Sequence, residues 1–190
     1  MEFNFFGGDL ALDLTGTLGR RHGGTPVEFL PAAADLERWL IAAGIGDPSA
    51  RADDSDLAYA KTLREAVYRL AYAAMTGAAF DPGDRDIVNE AAAVAPPLVQ
   101  IDDAGVLVRL GSVRASLSLA ARAAIALVTG PSATQLHECE GPACTRMFLD
   151  NSARGTRRWC DMSRCGNRAK VAKFRARHTA ESAVSGQAKS

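Results

Sequence analysis

Four cysteines carry the most specific chemistry in this 190-residue chain. Cys139 and Cys144 are separated by four residues, as are Cys160 and Cys165, and fifteen residues lie between the two pairs. Two short-range pairs joined by a loop of that length can present four thiolates to one tetrahedral Zn²⁺. A site closed by four thiolates leaves no position for water or substrate, so the expected zinc is a single structural ion that staples a small module. Disulfides or a redox pair are the lesser alternatives, because all four cysteines cluster between 139 and 165 and a secreted disulfide framework spreads its cysteines. His137 and His178 flank the module and read as surface or hydrogen-bonding histidines.

The elements that must position these ligands are short. Residues 145–150 and Arg157-Arg158-Trp159 read as two arms of a turn centred on Asn151-Ser152-Ala153-Arg154-Gly155. Cys165 falls in the first turn of a final helix with Ser163 as its cap, where the helix terminus favours a thiolate. Trp159 reads as part of the module's core.

Charge divides at the same place. The formal net charge is zero, but residues 1–145 hold 11 basic and 19 acidic side chains, and residues 146–178 hold 10 basic and 2 acidic. The neutral total is therefore a cancellation between an acidic body and a basic module. On a helical projection Arg164, Arg168 and Arg175 share one flank and Lys170, Lys173 and Arg177 another, with Val171 and Phe174 as an apolar seam expected to pack on the zinc module. With Arg157 and Arg158 these cations suit nucleic-acid phosphate; a solvated face or a surface that docks on the acidic body is the plainer account. Asn167 is read as a partner for nearby backbone or sulfur.

Ahead of the module, Asp9 caps a helix through Leu14, Asp35–Ala43 forms a second helix ended by Gly44, and Ser55 or Asp56 opens a long helix closing at Gly77. A helix over 84–94, a hairpin of Leu98–Ile101 with Val106–Leu110, and a helix capped by Ser112 follow, with Gly130-Pro131-Ser132 as boundary and candidate hinge. A content of 47% hydrophobic but only 6% aromatic residues favours helical packing over a sandwich or barrel. The fold class expected is α+β, mostly helical: a helical body with a small β-hairpin, plus a C-terminal treble-clef-like four-cysteine zinc finger ending in a helix. The domains expected are 1–130 for the body, 131–180 for the finger and 181–190 as a frayed tail. No leader-like segment and no run of eighteen apolar residues occurs, so a soluble cytoplasmic protein with no membrane role is expected. No nucleophile elbow, P-loop or dinucleotide glycine pattern is present, and no enzyme activity is expected.

Cys139-Glu140-Gly141-Pro142-Ala143-Cys144, Phe148–Ser152, Arg157-Arg158-Trp159-Cys160, Cys165-Gly166-Asn167-Arg168 and Phe174–Arg177 together resemble the CGNR zinc finger. Leu10–Leu14 with Thr17, Asp35-Leu36 with Trp39-Leu40, Leu63–Tyr68 and Asn89 resemble the ABATE domain that precedes that finger in bacterial proteins described as stress-induced transcription regulators. Gly16 stands where the family commonly has asparagine. The resemblance implies a zinc-binding, DNA-binding transcription regulator, and the charge pattern gives Arg157, Arg158, Arg164, Arg168, Lys170, Lys173, Arg175 and Arg177 as its expected nucleic-acid face. Its body would sense a small-molecule effector through Asp13, Thr17, Arg64 and Asn89. The plainer reading of the last set is a structural Asp13–Arg64 pair. From another class, the alternative function is a structural finger for protein–protein contact or homodimerisation; RNA is the other nucleic-acid partner considered.

Overall fold

The computed structural model describes residues 3–22, 24–141 and 143–175. Arg177, His178 and the tail fall outside them.

Helix ends follow local chemistry. Asp9 opens α1 (Leu10–Thr15) by accepting from the Ala11 amide at 2.8 Å. α2 (Ala33–Ala42) starts where Asp35 turns back to accept from the Ala32 amide. Asp53 caps α3 (Asp54–Thr76), whose stop is Gly77 at φ +74°, a left-handed conformation that glycine adopts without penalty. Asp81 caps α4 (Pro82–Ala93), and Ser112 caps α5 (Val113–Thr129). Each capping side chain satisfies an amide that the helix itself leaves unpaired.

α3, α4 and α5 pack against one another, and α1 lies against α3 and α5. Leu12, Leu14, Leu36, Trp39, Leu63, Val67, Val88 and Leu117 fill the space between them. Among the described residues three antiparallel pairs complete the fold: β1 (Leu18–Gly19) with β2 (Val27–Glu28), β3 (Leu98–Ile101) with β4 (Leu107–Leu110), and β5 (Leu136–Glu138) with β6 (Met147–Leu149). The mostly helical α+β architecture is thus the one observed.

The β5–β6 pair differs from the expected arms of the zinc module. Residues 157–159 form no strand; β6 pairs instead with the segment preceding Cys139, in the register Leu136–Leu149, His137–Phe148 and Glu138–Met147. Strand alternation explains the choice. Leu136, Met147 and Leu149 enter the core of the helical body, while Phe148, on the opposite face, packs against the cysteines. The Leu149 amide also donates to the Gly7 carbonyl at 2.9 Å. One three-residue strand therefore stitches finger to body. The Gly130–Pro131 boundary is a tight corner into a 3₁₀ turn (Pro131–Gln135) that packs on α3 and α5. A Cβ at Gly130 would come within 2.5 Å of the Ala126 carbonyl oxygen.

Candidate metal centre and basic surface

The four sulfurs lie within 4.8 Å of one another. Cys144 and Cys160 Sγ are 3.8 Å apart, Cys160 and Cys165 Sγ 3.7 Å. With Zn–S near 2.3 Å, tetrahedral geometry requires S···S of about 3.8 Å, whereas a disulfide needs about 2.0 Å. The donor set is that of one structural Zn²⁺.

The surroundings fit the ion as well as the sulfurs do. Cys139 Sγ accepts from the amides of Gly141 at 3.4 Å and Cys160 at 3.3 Å, which orient it and offset thiolate charge. A Cβ on Gly141 would lie 3.1 Å from Cys165 Cβ and 3.2 Å from its sulfur, so a bare backbone is needed at this approach. Cys139, Cys160 and Cys165 are buried and Cys144 half-buried, with Phe148 and Trp159 closing the cluster. Hydrogen bonds from Cys144 and Cys160 hold the Cys139 thiol far below its ordinary value. Its sulfur neighbours push Cys160 upward, led by the hydrogen bond with Cys139, and burial raises Cys165. Four thiols this close resist shared ionisation unless a cation neutralises them. Bound zinc would supply that charge and cross-link residues 139–144 to residues 160–165.

Ligand-proximal elements are set by local hydrogen bonds. Asp161, not Ser163, caps the wide helical turn Met162–Gly166, accepting from the Ser163 amide at 2.8 Å. Cys165 sits in this turn, which runs into α6, helical over the described residues 167–175. The Cys-Gly-Asn-Arg run has distinct local tasks. Cys165 gives a thiolate, and Gly166 passes so close to Met162 that a Cβ would meet its sulfur at 2.6 Å. Asn167 Nδ2 donates to the Ser163 carbonyl at 2.9 Å, the backbone role expected of it. Arg168 projects from the surface.

The basic residues fall into two groups. Arg157 donates to the Trp159 carbonyl at 2.8 Å and to the Cys160 carbonyl, with its guanidinium 4.6 Å from the Phe148 ring centre. Arg158 pairs with Glu140, and Arg164 reaches Asn4 Oδ1 and lies 5.6 Å from the Phe6 ring centre. Arg168, Lys170 and Lys173 are exposed on α6 and have no ion pair among the described residues. Arg175 is also exposed. The expected apolar seam is not buried: Val171 and Phe174 are 48% and 55% exposed. Phe148 and Trp159 already fill that face of the cluster, leaving α6 to project beyond it.

The four candidate effector residues do not converge. Thr17 and Arg64 touch, Arg64 Nη1 lying 3.2 Å from Thr17 Oγ1. Asp13 accepts from the Gly7 amide at 2.9 Å and shares with Thr17 a cleft that has closed on itself. Asn89 is exposed on α4, beside a different hollow formed with α5. Nor do Asp13 and Arg64 pair. Arg64, 3% exposed, instead grips Glu28 through two bonds of 2.8 and 2.9 Å and reaches Glu65 at 2.8 Å. Arg21 closes the network onto Glu65 at 3.2 Å. The sequence reading missed Glu28 because β2 is two residues long and carries no periodic signal.

A helical body carrying a four-thiolate finger on its last strand pair defines a zinc-finger protein whose two modules share a core. Residues 8–131 match the ABATE family, described as "Putative stress-induced transcription regulator", and residues 135–178 match the CGNR zinc finger. The chain belongs to the ABATE family and ends in a CGNR zinc finger. These families point to regulation rather than to an enzyme. No match was found among curated proteins. No helix among the described residues is long and apolar enough to cross a membrane.

Proposed function

We propose that this protein is a DNA-binding transcription regulator of the bacterial cytoplasm, in which the zinc cluster fixes α6 to the body and α6 presents cations to DNA phosphate. The observation that carries this reading is the placement of Arg168, Lys170 and Lys173. All three are exposed within eight residues of Cys165, without ion pairs among the described residues. Arg175 is exposed on the same helix. Arg157, Arg158 and Arg164 bind neighbouring protein groups and hold the platform. The acidic body repels a polyanion elsewhere, so α6 is the favourable approach, with modest and salt-sensitive affinity. A reducing compartment keeps the four thiolates available to zinc. Residues 1–130 act as the sensing body and 131–180 as the DNA-facing finger.

Titration of mixed-sequence duplex DNA at several salt concentrations tests this. Affinity should fall steeply with salt, and Lys170→Gln/Lys173→Gln should flatten the log–log slope by about 2, one per lost phosphate contact. Absence of binding at low salt overturns it. Single-stranded RNA should compete weakly, since α6 carries Phe174 as its one aromatic side chain in the described residues and stacking on unpaired bases needs several.

A second reading, protein–protein contact, is favoured by the β3–β4 hairpin, where Leu98, Val99, Ile101, Val106 and Leu107 are each more than half exposed. Such a patch is characteristic of contact surfaces. Light scattering that shows a stable oligomer, together with absent DNA binding, would select it.

A further inference from the structure

Where the finger meets the body there is a cavity of about 240 Å³. Its walls come from both modules. Phe6, Val27 and Phe29 of the body supply an apolar floor, and Arg20, Arg146, Arg164 and Arg168 supply guanidinium groups. Among the described lining residues Asp161 is the one carboxylate, and it is engaged by the amide and hydroxyl of Ser163 at 2.8 and 2.9 Å and by Arg164 Nε at 3.9 Å.

Two of the arginines are held in place. Arg146 Nη1 donates to the Asn4 carbonyl at 3.2 Å, with its guanidinium 5.9 Å from the Phe29 ring centre. Arg164 is fixed by Asn4 and by the ring of Phe6. Arg20 and Arg168 have no ion pair and no side-chain hydrogen bond among the described residues. Arg20 sits at φ +57°, an uncommon conformation for a residue with a side chain.

We propose that this cavity binds a small aromatic monocarboxylate, its ring on the phenylalanine floor and its carboxylate between the guanidinium groups. Charge selects the monoanion. Zinc with four thiolates carries −2, and Cys144 and Cys165 place that charge in the cavity wall. Together with Asp161 it offsets all but one of the four arginine charges, so the site has room for one negative charge and disfavours two. Volume selects a small ligand, since drug-sized pockets begin at roughly 300 Å³. The floor selects a ring: a bare anion, or a duplex phosphate reaching the rim, leaves the apolar surface uncovered. It adjoins the closed cleft at Asp13 and Thr17, with which it shares Asn4, Phe29 and Arg146 as a common wall.

The inference goes beyond the DNA-binding reading and does not rest on it, because the test contains no DNA. Zinc-loaded full-length protein is titrated calorimetrically with phenylacetate, its neutral isostere phenylacetamide, acetate and inorganic phosphate. Phenylacetate should bind saturably, at least about tenfold tighter than the other three, the scale of one charge-assisted bond. Arg20→Gln, an exposed change outside the zinc cluster, should weaken phenylacetate by about tenfold and leave zinc content unchanged. Phe29→Leu should weaken phenylacetate and leave acetate alone. Equal binding of phenylacetate and phenylacetamide, equal binding of phosphate, or an unaltered affinity in Arg20→Gln each overturns the proposal.

Discussion

Arg157 lays its guanidinium 4.6 Å from the centre of the Phe148 ring, and Phe148 is fully buried against the zinc cysteines. The same guanidinium donates to the carbonyls of Trp159 and Cys160. It thus ties the segment carrying the third cysteine to the strand that anchors the finger in the body. Arg157→Ala should release this clamp, lowering stability by about 1–2 kcal/mol and accelerating zinc transfer to a competing chelator. Lys at this position should not rescue the rate, since an ammonium cannot span two carbonyls and a ring face as a planar guanidinium does. A chelator-release time course compares the three proteins directly.

Zinc loss should unfold the finger unequally. Metal analysis should find one zinc per chain, and Cys160→Ser should abolish it. Leu136, Met147 and Leu149 are buried in the body's core independently of the metal, so β5–β6 should keep slow amide exchange in Cys160→Ser. The segment 157–167 has no such anchor and should exchange fast. Uniform loss of protection across 136–167 would contradict the stitched arrangement.

What the sequence reveals follows the range of the forces involved. Asp9, Asp53, Ser112 and Gly77 mark helix ends because a cap acts within three or four residues of itself. The cysteine spacing is equally local. Strand pairing is not: residues 157–159 and 136–138 are both plausible partners for 147–149, and the decision comes from where Met147 and Leu149 find a core. The choice between Asp13 and Glu28 as partner of Arg64 likewise depends on β2 crossing α3, a contact between residues 36 apart. The exposure of Val171 and Phe174 reflects a zinc module already filled by Phe148 and Trp159, which periodicity along α6 alone does not convey.

Asp13 gives the pH dependence of stability an unusual sign. Burial raises its carboxyl to about 6, against the lowering effect of the Gly7 amide; Asp9 adds repulsion and Arg146 attraction. From its ordinary value of 3.8 up to about 6, the folded protein holds a proton that the unfolded chain has lost. This group's stabilisation is therefore complete below 3.8 and lost as pH rises through about 6. Asp13→Asn keeps an acceptor for Gly7 and removes the titration. Urea midpoints should be higher for Asp13→Asn than for the parent at pH 7.5, and the two curves should approach each other near pH 4.

Glu28 and Glu65 act in the opposite direction. Burial pushes Glu28 up, but the Arg64 hydrogen bond and charge outweigh it and hold the carboxyl below its ordinary 4.5; Arg21 and Arg64 do the same for Glu65. Their stabilisation is present above about 4.5 and lost as pH falls through the lowered folded values. Arg64 is the buried member, and removing one partner of a buried cation leaves its charge uncompensated. Glu65 still accepts from Arg64 at 2.8 Å, and the Glu28 side chain is 27% exposed, so Glu28→Gln should cost about 2 kcal/mol rather than the full penalty of an orphaned charge. The double variant Glu28→Gln/Glu65→Gln should lose more than the two single losses combined, because only then is Arg64 left without a carboxylate. Strict additivity in a double-mutant cycle by urea denaturation at pH 7 would show instead that Arg64 is solvated by water in the folded state.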